Sequence, residues 1–210
     1  MLPQVLRHRW IVTCMACCLA VAAGRGAAAP ARETPKASDK AAAADAQKQM
    51  MEAMMKAAQP GPQHEMMKKC EGSWKAVVKS WMGPGDPMIS EGSAQFKMIL
   101  GDRYLEQRFN GTFQDKPFEG YGLTGYDNMQ KTYTMLWIDN SSTGMMHGTG
   151  SYDDAKKTLT FRATSPGPDG KPMTMRRINV MPDDSTQVFK MYGVEKGKET
   201  KMMEITYTRM

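Results

Sequence analysis

From residue 73 onward the chain is divided into short stretches rich in β-branched, aromatic and methionine residues, separated by turn-forming residues. These stretches run 73–82, 92–100, 103–113, 118–126, 131–139, 145–152, 158–164, 173–181, 186–194 and 199–209. The breaks include Gly83-Pro84-Gly85-Asp86-Pro87, Asp127-Asn128, Asn140 to Gly144, Asp153-Asp154, Pro166 to Gly170, Pro182 to Asp184 and Glu195-Lys196-Gly197. Many short strands at regular spacing, with no helical pattern between them, predict an all-β sandwich or barrel in up-and-down order. Closure into a barrel has the advantage of removing exposed sheet edges. The stretch 64–210 is ample for one core of this kind.

Alternation within these strands is incomplete. Tyr133, Met135 and Trp137 fall on one face of their strand, while Leu136 and Ile138 fall on the other. A strand apolar on both faces is either covered outside or faces an apolar interior. Periodicity does not distinguish the inner face from the outer.

The region before residue 63 has a different texture. Arg7, His8 and Arg9 precede an apolar run from Trp10 to Ala23 and then small residues, the order of a secretory signal peptide. The run is too short to cross a bilayer, which takes about 20 residues. Ala20-Val21-Ala22 places cleavage after Ala22, giving a 1–22 signal peptide and an exported, periplasmic or secreted, product. Cys14, Cys17 and Cys18 lie in the apolar run without the lead-in of a lipid-anchored cysteine, and their loss leaves Cys70 alone. The expected mature fold therefore relies on burial and not on disulfides.

Residues 23–39, poor in apolar side chains, read as a flexible linker. A Met-rich helical extension follows over 40–62, its helix running 40–59 until Pro60-Gly61-Pro62 stops it. A short helix over 63–70 then leads into the 63–210 domain. The formal net charge of +6 falls by two with Arg7 and Arg9, and the remaining cations are scattered. Nucleic-acid binding needs a clustered basic footprint, so that class is discounted.

Gly72-Ser73-Trp74 after a short helix resembles the G-x-W opening of lipocalin-like barrels. In those proteins the Trp closes one barrel end and a late Arg lies across it; Arg209 is placed to do so here. A wider set recurs in order: His64, Ile99 to Leu105, Pro117-Phe118-Glu119-Gly120, Thr124 to Asn128, Trp137-Ile138-Asp139 and Met203 to Arg209. Together these resemble the bacterial family called domain of unknown function 1579, over about residues 63–210. Asp102 departs from the pattern, standing where a second glycine is expected. The resemblance implies a lipocalin-like barrel preceded by one or two helices. It brings no reaction, ligand, cofactor or catalytic residue with it.

No G-x-S-x-G elbow is present. Tyr126, Trp137, Asp139 and His147 are the candidates for ligand contact inside the barrel: an aromatic body with a few polar groups suits a mostly apolar ligand. Asp139 equally suits the start of the Asn140-Ser141-Ser142 turn. The expectation is a non-enzymatic binding module for a small apolar molecule, without cofactor and without a stable membrane span. Two alternatives stand beside it. The chain has 22 methionines, clustered at 50–55, 66–67, 145–146 and 202–203. Thioethers suit Cu(I), so a soft-metal or oxidant-buffering role is one alternative, although methionine is also flexible core filler. An enzyme using Glu106, Asp139 or His147 is the other, with nothing specific in its favour. The Met face of the extension is also a candidate docking element for a protein partner.

Overall fold

The computed structural model describes residues 37–210. The signal peptide and most of the linker expected from the sequence lie outside those residues. Two helices, α1 (Ala37–Ala57) and α2 (Pro62–Lys68), precede ten strands. These are β1 (Gly72–Ser80), β2 (Met88–Ile99), β3 (Tyr104–Phe113), β4 (Lys116–Asp127), β5 (Thr132–Asp139), β6 (Met146–Asp153), β7 (Thr158–Pro166), β8 (Pro172–Val180), β9 (Thr186–Glu195) and β10 (Lys198–Arg209). Each strand pairs antiparallel with its neighbours in sequence, and β10 returns to β1, so the sheet is a closed up-and-down barrel.

All ten expected strands are present. The largest boundary difference is at β2, which begins at Met88 and not at residue 92 because 88–91 pair along β1 as far as Ser80. Helix α1 starts at Ala37, inside the expected linker, where Ser38 and Asp39 occupy its first turn. Both residue types favour a helix N-terminus, through capping and through the helix dipole. Helix α2 takes Pro62 at its first turn, and its break at Lys69 falls just short of the expected residue 70.

The interior follows from the register. Opposed pairs Trp74↔Arg209, Phe96↔Gln107, Gly122↔Trp137, Phe161↔Arg177 and Gln187↔Tyr207 all point inward. On β5 the inner face is Tyr133, Met135, Trp137 and Asp139, while Ile138 is 40% exposed outside. Helix α2 packs at the end where β2, β3 and β4 meet it. It contributes Met66 and Met67 to the core, and His64 is buried with its Nδ1 accepting from the Gly61 N–H at 3.0 Å. Burial holds the His64 pKa below its ordinary value, which keeps the ring neutral and able to accept that bond. Above this plug Trp74, Phe96 and Tyr207 meet edge to face at 6.4 and 5.9 Å.

Arg209 fastens the closure at the same end. Its guanidinium lies 4.3 Å over the Trp74 ring and donates to the carbonyls of Asp184, Glu71 and Lys69 at 2.7, 2.5 and 2.8 Å. Trp74 Nε1 donates to the Cys70 carbonyl at 2.9 Å. Gly72 has a φ of +123°, and a Cβ there would come within 2.8 Å of Arg209 Nη1. The glycine of G-x-W is thus required by the arginine as well as by the backbone. Asp102, the departure from the family pattern, also takes a positive φ of 60° and accepts from Lys68 Nζ at 2.8 Å, tying its turn to α2.

Arg209→Ala removes three charge-assisted hydrogen bonds and a cation–π contact at the seam where the last strand meets the first. The expected loss is about 2–4 kcal/mol in chemical denaturation, and Arg209→Lys should recover little because an ammonium cannot span three carbonyls.

Candidate functional site

The barrel is not filled. It encloses a cavity of about 260 Å³ that runs from Met66 and Met67 of α2 to Ser80, Ser90, Thr112 and Asp139 at the far ends of the strands. Its wall is mainly aromatic, aliphatic and thioether, with Phe109, Phe161, Phe189, Met135, Met146 and Ile205 among its members. Hairpin loops surround the far end, with Met82, Met88 and Met145 exposed nearby.

Space for the Trp137 side chain comes from glycine. A Cβ on Gly120 would lie 2.2 Å from Trp137 Cζ2, and one on Gly122 would lie 3.1 Å from Cε3 of the same ring. The indole occupies the hollow that β4 leaves. Its Nε1 donates to Asp139 Oδ2 at 2.8 Å, while Asp139 Oδ1 accepts from Ser141 N and Oγ at 3.0 and 2.5 Å. Asp139 therefore lines the cavity and also fastens the β5–β6 turn, so the two readings of that residue coexist. Both of its oxygens are engaged.

The four residues expected inside separate. Trp137 and Asp139 line the cavity. Tyr126 faces inward nearer the plug, 6.1 Å from the His64 ring and 4.8 Å from Tyr133, and does not reach the cavity. His147 is a correction. It pairs with Leu136 and Thr164 on the outer face of β6 and is exposed, because Met146 and Gly148 take the inward positions. Glu106 is likewise outside, paired with Arg108 at 2.8 Å.

The group that pattern reading missed is Arg177. It opposes Phe161 and Met191 on the inner face of β8 and lines the cavity. Its guanidinium stands 4.9 Å from the Phe189 ring and 5.9 Å from the Trp137 ring. Nη1 points at the sulfurs of Met135 and Met146, at 3.3 and 3.8 Å. Nε is sealed from solvent with no hydrogen-bond partner among the described residues. Loss of hydration lowers its pKa to about 10, which leaves it charged at neutral pH. The only available signal was period two: Met173, Met175, Arg177 and Asn179 share a face.

Two further groups along the cavity, Cys70 and Tyr207, stay uncharged at neutral pH. Burial pushes the Cys70 thiol up to about 12 and the Tyr207 hydroxyl up to about 12. The Cys70 thiol donates to Met181 Sδ at 3.4 Å. The methionine clusters lie in unlike surroundings: Met50, Met51, Met54 and Met55 are 48–60% exposed on α1, while Met66, Met67, Met146 and Met203 line the cavity. Among the described residues no group of three His, Cys, Asp or Glu side chains is placed to hold a metal ion, and no helix is long and apolar enough to cross a membrane.

The family model for the protein of unknown function DUF1579 matches residues 59–209. No curated protein matches the chain. Among solved structures, Rv2717c from M. tuberculosis superposes with a TM-score of 0.55 at 12% identity, covering 72% of this chain and 99% of its own. It shares the fold. EF1p2_mFAP2b bound to DFHBI (TM-score 0.39, 13% identity, 70% and 98% coverage) and a de novo designed fluorescence-activating β-barrel (0.36, 15%, 69% and 96%) are looser likenesses. Those two are too distant to bear on the cavity.

Two outcomes follow from the packing. Gly120→Val forces the indole out of its hollow and should shift Trp emission and lower the denaturation midpoint, by about 1–3 kcal/mol for an overpacked core. Arg177→Met removes an uncompensated buried charge, and the ligand-free variant should be at least as stable as the parent, by up to about 4 kcal/mol. Urea titration of both variants checks these expectations.

Proposed function

The chain belongs to the DUF1579 family of proteins of unknown function, and we propose that this member is an exported binding module that holds a small, mostly apolar molecule inside its barrel. The observation that carries the reading is the 260 Å³ cavity walled by aromatic and thioether side chains. It lies just below the ~300–1,000 Å³ usual for small-molecule sites, with the same makeup of an apolar wall and a few polar groups. A protein of this size that needed the interior only for stability would gain from filling it, since voids forfeit dispersion contacts.

Binding is favoured over catalysis by the condition of the groups along the wall. Cys70 and Tyr207 are held neutral by burial, and both Asp139 oxygens are engaged by Trp137 and Ser141. A general acid or base works best with a pKa near the operating pH. Export is supported by the order of basic, apolar and small residues at the N-terminus.

The test uses a neutral apolar probe, 1-octanol, titrated calorimetrically at several temperatures. One-to-one binding with a negative heat-capacity change is the expected result, the mark of apolar surface leaving water. Val78→Phe, which adds bulk to the wall, should weaken binding by ~10-fold or more, since ~1.4 kcal/mol of lost contact suffices. His147→Ala, on the outer face, should leave it unchanged. A wild-type protein that binds no 1-octanol, or a Val78→Phe variant that folds and binds it equally well, overturns the reading.

A further inference from the structure

Strand β8 carries two consecutive arginines in opposite circumstances. Arg176 faces outward, where Glu199 takes Nε and Nη2 at 2.6 Å each and the Tyr192 ring lies 4.8 Å away. Arg177 faces the cavity, and among the described residues no ion pair includes it. It meets ring faces and thioether sulfurs, which are weak acceptors, and its Nε meets no acceptor among those residues. An arginine brought into an apolar interior without a carboxylate is a costly placement. The same low dielectric that makes it costly makes its attraction for an incoming anion strong.

A second donor faces the same space. Tyr207 lines the cavity, and its hydroxyl accepts from Gln107 Nε2 at 3.2 Å, which leaves its own O–H free to donate. Arg177 lies against Phe189 of β9, and Tyr207 pairs with Gln187 two residues along that same strand, so both groups face one cavity. Among the described residues Arg177 is the only cation in the wall. The single carboxylate found there, Asp139, is held at the edge of the indole whose ring faces Arg177, bound by Trp137 Nε1 and Ser141. The one guanidinium neutralises one negative charge, and the hydroxyl adds a hydrogen bond without charge; a dianion would leave its second charge unpaired in an apolar space.

We propose that the ligand is an amphiphilic monoanion, its carboxylate-sized head seated on Arg177 with the Tyr207 hydroxyl as second donor and its tail among the methionine and aromatic side chains. This rests on the binding reading above and adds the charge and the place of the head. The Nε–Nη edge of a guanidinium matches the two oxygens of a carboxylate. The present contacts of Arg177 are soft enough to be given up when such a head arrives.

The experiment compares octanoate with the neutral isostere octanamide, by calorimetry on the wild-type protein. Octanoate should bind ~10- to 100-fold more tightly, the range that charge-assisted hydrogen bonds give. Arg177→Met should bring octanoate down to the level of octanamide while changing octanamide by less than ~3-fold, and Tyr207→Phe should weaken octanoate alone, by ~3- to 10-fold. Equal wild-type affinity for the two probes overturns this inference and leaves the binding reading standing. Failure of both to bind overturns the two together. Octyl phosphate binding more tightly than octanoate at pH 8 overturns the single-charge assignment. Should Arg177→Met not fold, the wild-type comparison and Tyr207→Phe decide the matter.

Discussion

Everything inside this barrel depends on β10 meeting β1 in one register, with Arg209 opposite Trp74. Side chains alternate along a strand, so a slip of one residue at the seam would reverse the faces of an entire strand. The guanidinium of Arg209 makes such a slip costly. It grips the carbonyls of Lys69, Glu71 and Asp184 while lying on the indole, and so joins the turn before β1, the β8–β9 loop and the last strand. Helix α2 sits against the same end, so the plug and the seam reinforce one another. With that end closed, the cavity lies above the plug and reaches the loop-bearing end.

The interior serves two demands that oppose each other. Core stability favours complete filling and no charge, and the plug end comes nearest to that with Trp74, Ala76 and Tyr133. The far half does not. There glycines on β4 make room for Trp137, space remains beyond it, and Arg177 stands in that space without a counter-charge. A region that gives up packing and buries a cation is less stable than a filled, uncharged one, a common condition of sites shaped by function. The helical extension follows a different logic: its methionines face solvent and contribute little to the barrel, which holds α1 by hydrogen bonds from Asn128 and Arg103 to backbone carbonyls at its end.

Much of the fold was legible because strands and turns are local. Each strand is bounded by residues whose backbone preferences mark a break, and period two is visible within a few residues. The starts of β2 and α1 were misplaced for the opposite reason. Residues 88–91 carry no strong strand signal and are extended because β1 supplies partners, and Ser38-Asp39 resemble linker residues until a helix follows them. The site was harder to read. Trp137 and Asp139 were identifiable as an aromatic and an acid on one face, whereas His147 drew attention by residue type and lies outside by parity.

What the sequence by itself determined is the succession of ten strands, the closure pair Gly72-x-Trp74 with Arg209, and the family to which they belong, all carried by short-range pattern and a few side chains. What only the tertiary structure decided is which face of each strand turns inward and what the inward faces leave unfilled. Inward and outward are properties of the closed sheet as a whole; Arg176 and Arg177 are chemically identical neighbours until closure sends one to Glu199 and the other into the cavity.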